Sequence, residues 1–285
     1  MVTPMNPAGE VDTLSAARLL ARFEAHGCQG AVLAGTNGEG PSLAAVEKRD
    51  LIRELAPARG ELRLILGVAT PSLSEAVWLV SQAAKAGAAA ALVMAPAYFF
   101  EAGRSQIRDW FLRLMDASPV GILVYNFPKR SGGIVLTAGL LAELAEHPRF
   151  LGVKDSSGET KNLAEYRAAV SDEHRLFVGD ETLLWSALEA GWQGTISGAA
   201  NLLSAHLVQV VSDYLAGEKQ RAETRFHLIE PLIRAIRQHP QPATSKAVLH
   251  AWGAITSPSV RLPLAAGEPD PLRSLFESKL GVESR

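Results

Sequence analysis

The chain has 285 residues, 47% of them hydrophobic and 20% charged, with a formal net charge of -2. That is enough for one large domain or two ordinary ones with a sizeable core, and the near-neutral charge gives no pull toward nucleic acid or an anionic membrane. The single cysteine, Cys28, excludes an intrachain disulfide and a multi-cysteine metal site, and no pair of the seven histidines has metal-ligand spacing.

In chain order, a helix is expected at 13–26, where Leu14, Ala17, Leu20 and Phe23 recur at three and four, followed by a strand at 30–34. Helix 43–58 precedes strand 63–68, helix 72–86 precedes strand 90–94, and helix 105–117 precedes strand 121–125. Helix 137–146 leads to strand 151–154, helix 161–170 to strand 176–179, and helix 182–190 to strand 194–197. The strands read as continuous apolar runs, as parallel strands covered on both faces do. With a fragment around Val2-Thr3 they make eight, which predicts an α/β fold of the (β/α)8 TIM barrel type. A doubly wound open sheet would want a Gly-rich dinucleotide turn after its first strand, and the sequence has none.

After Ser197 the strand signal stops and helices are expected at 201–215, 218–237, 244–252 and 271–280. The barrel carrying the active site is therefore placed at 1–215 and a C-terminal helical extension at 216–285. Apolar stretches are too short to span a bilayer and the start carries no cationic signal region, so a soluble, cytoplasmic protein is expected.

In a barrel of this kind the active face is built from the C-terminal ends of the strands. Lys154 closes the apolar run Phe150-Leu151-Gly152-Val153 and opens the polar turn Asp155-Ser156-Ser157-Gly158. An amine at the rim of an apolar core is desolvated, which favours its neutral form and makes it a nucleophile for carbonyl carbon. The competing reading is a strand-end lysine whose charge reaches out to water. Tyr125 ends the preceding strand, so a phenol and an amine can converge and exchange the protons that carbinolamine formation and dehydration require. On its own, Tyr125 is equally an aromatic wedge with its hydroxyl in water.

Five other segments carry candidate chemistry. Gly35-Thr36-Asn37-Gly38-Glu39-Gly40 lets backbone amides approach a ligand, and Thr36 with Asn37 suits a small carboxylate, although an ordinary capping turn has the same composition. Arg130, in the loop Lys129-Arg130-Ser131-Gly132-Gly133, either forks onto a substrate carboxylate or is a solvated charge. Tyr98, followed by Phe99 and Phe100, belongs to a run that fits a packing surface or subunit contact. Asp180-Glu181 is a carboxylate pair in which Asp180 is equally suited to cap a helix. The segment Gly194 to Asn201 opens a helix and suits a phosphate cradle, against which stand Ile196 in its middle and the lack of nearby Lys or Arg.

Taken together, Gly35-Thr36-x-Gly38-Glu39, Tyr125-Asn126-x-Pro128 with Gly132, Gly152-x-Lys154-Asp155 and Gly194-x-Ile196-Ser197 resemble the dihydrodipicolinate synthase / N-acetylneuraminate lyase family in spacing and order over nearly the whole chain. The resemblance implies a (β/α)8 barrel in a homo-oligomer, a dimer or more usually a tetramer, and a Schiff base between Lys154 and the keto carbon of pyruvate. It also implies that Tyr125 relays protons and that Thr36 links it to Tyr98 supplied by a neighbouring subunit. Thr36 and Asn37 would hold the pyruvate carboxylate, with Gly35 and Ile196 lining the same substrate site. No metal or organic cofactor is implied, because the protonated imine is itself the electron sink. The partners implied are small molecules, pyruvate and an aldehyde or a 2-oxo acid.

Within that family, Arg130 matches the arginine that synthases aim at the carboxylate of aspartate semialdehyde, which favours a 4-hydroxy-tetrahydrodipicolinate synthase-type condensation. Asn37 points instead to 4-hydroxy-2-oxoglutarate aldolases, since synthases usually have a second threonine there; a 2-keto-3-deoxy sugar-acid aldolase is the related alternative. Ala97 stands where many synthases have a tyrosine lining the lysine inhibitor pocket, and Ala45 and Lys48 where lysine-regulated bacterial enzymes often carry histidines, so no lysine feedback is expected. Family members usually carry several residues ahead of the Val2-Thr3-Pro4 equivalent, which implies a short first strand here. Outside this class stand a phosphate-binding barrel isomerase using 194–201, which leaves Lys154 and Tyr125 without a task, and a non-catalytic oxo-acid sensor.

Overall fold

The computed structural model describes residues 1–280, so the last five residues of the expected C-terminal extension lie outside it. Helices and strands alternate as α1 (Thr13–Ala25), β1 (Gly30–Leu33), α2 (Ala45–Leu55), β2 (Arg63–Val68), α3 (Leu73–Lys85), β3 (Ala90–Met94), α4 (Arg104–Ala117) and β4 (Gly121–Asn126). There follow α5 (Ala138–Ala145), β5 (Phe150–Asp155), α6 (Lys161–Ala169), β6 (Arg175–Val178), α7 (Leu184–Glu189) and β7 (Gly194–Thr195). The helices α8 (Ala200–Leu215), α9 (Lys219–Gln238), α10 (Ala243–Ala251) and α11 (Asp270–Leu280) complete the described chain.

The seven strands form one sheet in chain order, and the described pairs from β2 to β7 are all parallel. β3 is buried at every position, which is why it reads as an unbroken apolar run. Short polar side chains start the helices: Asp12 accepts from Ser15 N, Ser72 from Glu75 N and Thr137 from Leu140 N. The helix expected at 43–58 ends as a separate 3-10 turn, Ala56–Ala58, because Pro57 lacks the N–H that would continue it.

The chain divides into two compact units. One comprises Ala44–Ile52 and Leu64–Ser197 and holds strands β3 to β7 with nearly all of β2. The other comprises Met1–Leu43, Arg53–Arg63 and the chain from Gly198 onward, so α1 and β1 belong with the C-terminal helices.

The eighth strand expected at Val2-Thr3 does not form. Met1 N donates to Val32 O at 3.0 Å, but Val2 N goes to the Asn201 side chain at 2.8 Å and Thr3 Oγ1 to Gly38 O at 2.6 Å. Side chains thus take the place of a ladder, and Pro4 has no N–H with which to extend one. β7 also stops short of the expected 194–197, although Ile196 N still donates to Val178 O at 3.1 Å.

β5 carries the irregularity that matters most for the site. Ile122 is level with Phe150, but Leu123 is level with Gly152, so Leu151 is one residue too many: a β-bulge. Leu151 lies over Gly121, where a Cβ would stand 2.3 Å from Leu151 Cδ1. Gly152 takes φ +142°, and a Cβ there would stand 1.8 Å from Arg175 O. Side chains alternate along a strand with period two, so the extra residue decides which face the rest of β5 presents. With it, Tyr125 is level with Lys154 and Asn126 with Asp155; without it, Tyr125 would be level with Val153. Gly152→Ala is expected to cost about 2–3 kcal/mol and lower the thermal midpoint by roughly 6 °C or more, read by a melting curve. An unchanged midpoint would mean that the Arg175 carbonyl yields without penalty.

Candidate active site

Because Tyr125 and Lys154 are level on adjacent parallel strands, their side chains leave the sheet on the same face. Lys154 Nζ lies 4.2 Å from the centroid of the Tyr125 ring, a position that a ring quadrupole favours for an ammonium. Ser156 Oγ donates to the Tyr125 hydroxyl at 3.3 Å. Gly179, just beyond β6, makes room for both: a Cβ there would be 2.7 Å from Lys154 Cε and 2.0 Å from Ser156 Oγ. An amine, a phenol and a hydroxyl are thereby held together over a strand end, with the phenol hydrogen-bonded to the hydroxyl.

The next residue on each strand points the other way. Asn126 Nδ2 donates to Asp155 Oδ1 at 2.8 Å and to the Tyr166 hydroxyl at 3.0 Å, while its carbonyl accepts from Leu136 N at 3.0 Å. Asp155 also accepts from Ser157 N at 3.0 Å, Ser157 Oγ at 2.9 Å and Asn162 Nδ2 at 3.1 Å. Tyr166 donates to Leu136 O, and burial, reinforced by the nearby Asp155 charge, pushes its phenol well above the usual range and keeps that proton in place. Apart from the half-buried Ser157 these groups are buried, and they satisfy one another; deleting one buried partner would cost about 1–3 kcal/mol. This network ties down the strand ends that carry Tyr125 and Lys154. Sequence reading passed over it, although the adjacency Tyr125-Asn126 and Lys154-Asp155 is its signal.

In the other unit, the turn 35–40 is closed by Gly38 N and Gly40 N, each donating to Gly35 O at 3.0 Å. Gly35, Thr36 and Asn37 are half-buried, as a ligand-gripping turn needs, whereas Gly38, Glu39 and Gly40 are buried. Gly40 has no room for a side chain, since a Cβ would come within 1.9 Å of Ala34 O. The Asn37 amide rests on Gly198, where a Cβ would be 2.3 Å from Nδ2. Glu39 adopts a left-handed backbone, φ 54° and ψ 29°, at a cost of about 1–3 kcal/mol for a residue with a Cβ. Its carboxylate accepts from Lys246 Nζ and, at 2.9 Å, from Arg261 N. Neither Lys246 nor Arg261 was singled out from the sequence, and with Lys246 207 positions beyond Glu39 no local pattern signals the pair.

The remaining candidates have simpler placements. Arg130 is exposed on a turn whose Gly132 has φ +64° and packs on Phe100 and Ala97 O, where a Cβ would come to 2.7 Å of each. Tyr98 is 76% exposed and meets Phe99 edge-on at 5.1 Å, leaving three aromatics at the surface of the protomer. Asp180 takes the capping role, accepting from Thr182 N at 3.1 Å, while the buried Glu181 accepts from Ser197 Oγ at 2.7 Å. Asn201, at the start of α8, accepts from Val2 N and donates to Gly198 O at 2.8 Å, so its amide is engaged within the fold. Lys48 is buried, which pushes its ammonium down against the opposing pull of Glu75. Among the described residues no group of three or more His, Cys, Asp or Glu could hold a metal ion, and no helix is long and apolar enough to cross a membrane.

Comparison with known proteins places this geometry in context. Residues 1–277 match the dihydrodipicolinate synthetase family. The 4-hydroxy-tetrahydrodipicolinate synthase of Cyanothece sp. is 31% identical over 283 residues, covering 98% of this chain and 95% of that protein. The synthase of Listeria monocytogenes is 30% identical over 268 residues, 93% of this chain and 90% of that one. Among solved structures, the chloride-inhibited dihydrodipicolinate synthase of Acinetobacter baumannii complexed with pyruvate has a TM-score of 0.92 at 27% identity, covering 99% of this chain and 97% of that chain. The enzyme of Cyanidioschyzon merolae with lysine bound has a TM-score of 0.90 at 28% identity, covering 98% and 95%.

The space at Gly179 yields a direct test. Gly179→Ala is expected to push Lys154 off the Tyr125 ring and reduce turnover about 100-fold, the penalty of a misplacement near 1 Å. Since both crowded atoms are side-chain ends, the thermal midpoint should stay within about 3 °C. Unchanged turnover would show that the present Lys154 position is not needed.

Proposed function

Since the chain belongs to the dihydrodipicolinate synthetase family, we propose that it condenses pyruvate with aspartate semialdehyde as a 4-hydroxy-tetrahydrodipicolinate synthase-type lyase. The observation that carries this reading is Lys154 Nζ held 4.2 Å from the Tyr125 ring centroid by the register of β4 and β5. The Lys154 amine attacks the keto carbon of pyruvate to give a carbinolamine. Tyr125 delivers the proton with which its hydroxyl leaves as water, forming the protonated imine. Loss of a methyl proton from the imine gives an enamine, and the enamine carbon attacks the aldehyde. Ser156, donating to the Tyr125 oxygen, stabilises the phenolate between proton transfers.

In this reading Thr36 and Asn37 bind the pyruvate carboxylate, Gly35 and Ile196 line the site, and Arg130 receives the carboxylate of the aldehyde. Tyr98, exposed on its own protomer, serves the site of a neighbouring subunit in a homo-oligomer, a homotetramer by family likeness. The scaffold is an α/β barrel over 1–215, built on the seven-stranded parallel sheet, with the helices of 216–285 as its extension. A 4-hydroxy-2-oxoglutarate or sugar-acid aldolase is the second reading, supported by Asn37 and the glycine that accommodates its amide. A phosphate-binding isomerase has less support, because Asn201 is engaged within the fold and Ser197 is bonded to a carboxylate.

Pyruvate followed by borohydride is expected to leave a reduced adduct on Lys154 by peptide mass spectrometry, and none in Lys154→Ala. A folded wild-type protein with no adduct would overturn the imine mechanism. Arg130→Ala should lower kcat/KM for an aldehyde bearing a carboxylate at least tenfold more than for a neutral aldehyde, the loss of one charge-assisted contact; equal losses would remove its role. Lysine is expected not to inhibit, given Ala97, Ala45 and the buried Lys48; a dose-dependent fall in rate would contradict this.

A further inference from the structure

α10 is buried on almost every side, from Ala243 to Leu249, and in its middle lies Lys246 with no exposed surface. Its ammonium donates to Glu39 and, at 2.7 Å, to Ser259 O. Glu39, itself 2% exposed, takes its second hydrogen bond from Arg261 N at 2.9 Å. The Arg261 guanidinium continues to the same region, Nε donating to Gly9 O and NH1 to Ser42 O, each at 2.9 Å. The C-terminal chain therefore grips both the side chain of Glu39 and the backbone that follows its turn. Removing two charges from water generally offsets the attraction between them, so a buried ion pair is weak ground for net stability and is better understood by what it holds in place. What it holds is a non-glycine residue in the left-handed region, directly after the turn that presents Thr36 and Asn37.

We infer that Lys246 and Arg261 are positioning residues that, through Glu39, hold the 35–40 turn in the conformation in which Thr36 and Asn37 bind the oxo-acid carboxylate. The inference rests on the pyruvate-binding role given to that turn above. Lys246 touches no substrate; it acts by keeping the turn from relaxing toward an ordinary backbone. Loss of the pair therefore weakens pyruvate binding and leaves the chemistry at Lys154 intact once the site is full.

The decisive variant is the double substitution Glu39→Gln with Lys246→Met, which removes both charges and strands neither. Its thermal midpoint is expected to stay near that of the wild type, while KM for pyruvate rises at least tenfold and kcat stays within about threefold. Borohydride trapping on Lys154 at saturating pyruvate should be complete. A purely structural role predicts the opposite split, with less active protein and an unchanged KM; that result, in a folded variant, overturns the inference. Should the double variant fail to fold, Glu39→Gln alone keeps one of the two acceptor oxygens, and its pyruvate KM is expected to rise threefold or more. An unchanged KM there overturns the inference equally. A wild-type protein that gives no adduct on Lys154 would fail the functional reading itself and take this inference with it, whereas normal wild-type trapping with unmoved variants defeats the inference alone.

Discussion

A single surplus residue, Leu151, sets the parity of β5, and much of the site depends on that offset. Phe150 is level with Ile122, yet four residues later Lys154 is level with Tyr125, three residues beyond Ile122. Only a residue without a side chain fits at Gly152, where the backbone passes against the Arg175 carbonyl with φ +142°. The offset puts an amine above a phenol on one face, and on the other it brings Asp155 opposite Asn126. Register therefore does two tasks at once: it sets Lys154 level with Tyr125, and it aligns the polar network of Asn126 and Asp155.

The two halves of the proposed chemistry are held by different physical means. Lys154 and Tyr125 sit on paired strands, with positions fixed by main-chain hydrogen bonds and by neutral or singly charged partners such as Asn126, Asn162 and Asp155. The 35–40 turn has no ladder of its own, and its conformation is held by a buried carboxylate gripped from elsewhere in the chain. A strand end tolerates a polar network because every member finds a partner nearby; an isolated turn with a left-handed glutamate needs a full charge opposite it.

Much of this was legible in the sequence. The segment 63–68, apolar after Arg63, and the unbroken apolar run 90–94 gave strands with the observed limits, the latter because a strand covered on both faces has no alternation to confuse it. Lys154 and Tyr125 could be singled out because each ends such a run. The eighth strand failed at Val2-Thr3, where Val2 N donates to the Asn201 side chain instead of to a neighbouring strand, a choice visible only in three dimensions. Ser156 and Gly179 needed the structure too, since what matters at Gly179 is the space a missing Cβ leaves for Lys154. The Glu39–Lys246 pair had no signature at all, as its members share no segment and no period.

The same separation has a consequence during synthesis. Glu39 leaves the ribosome 207 residues before its cation, a delay of roughly 10–40 s at cellular elongation rates. Throughout that interval the turn lacks this anchor, and the strands bearing Tyr125 and Lys154 are made before it ends. Tyr125 and Lys154 are available to pair first, and the 35–40 turn is anchored last. A nascent chain halted before α10 would have Lys154 and Tyr125 on paired strands but no cation to anchor Glu39.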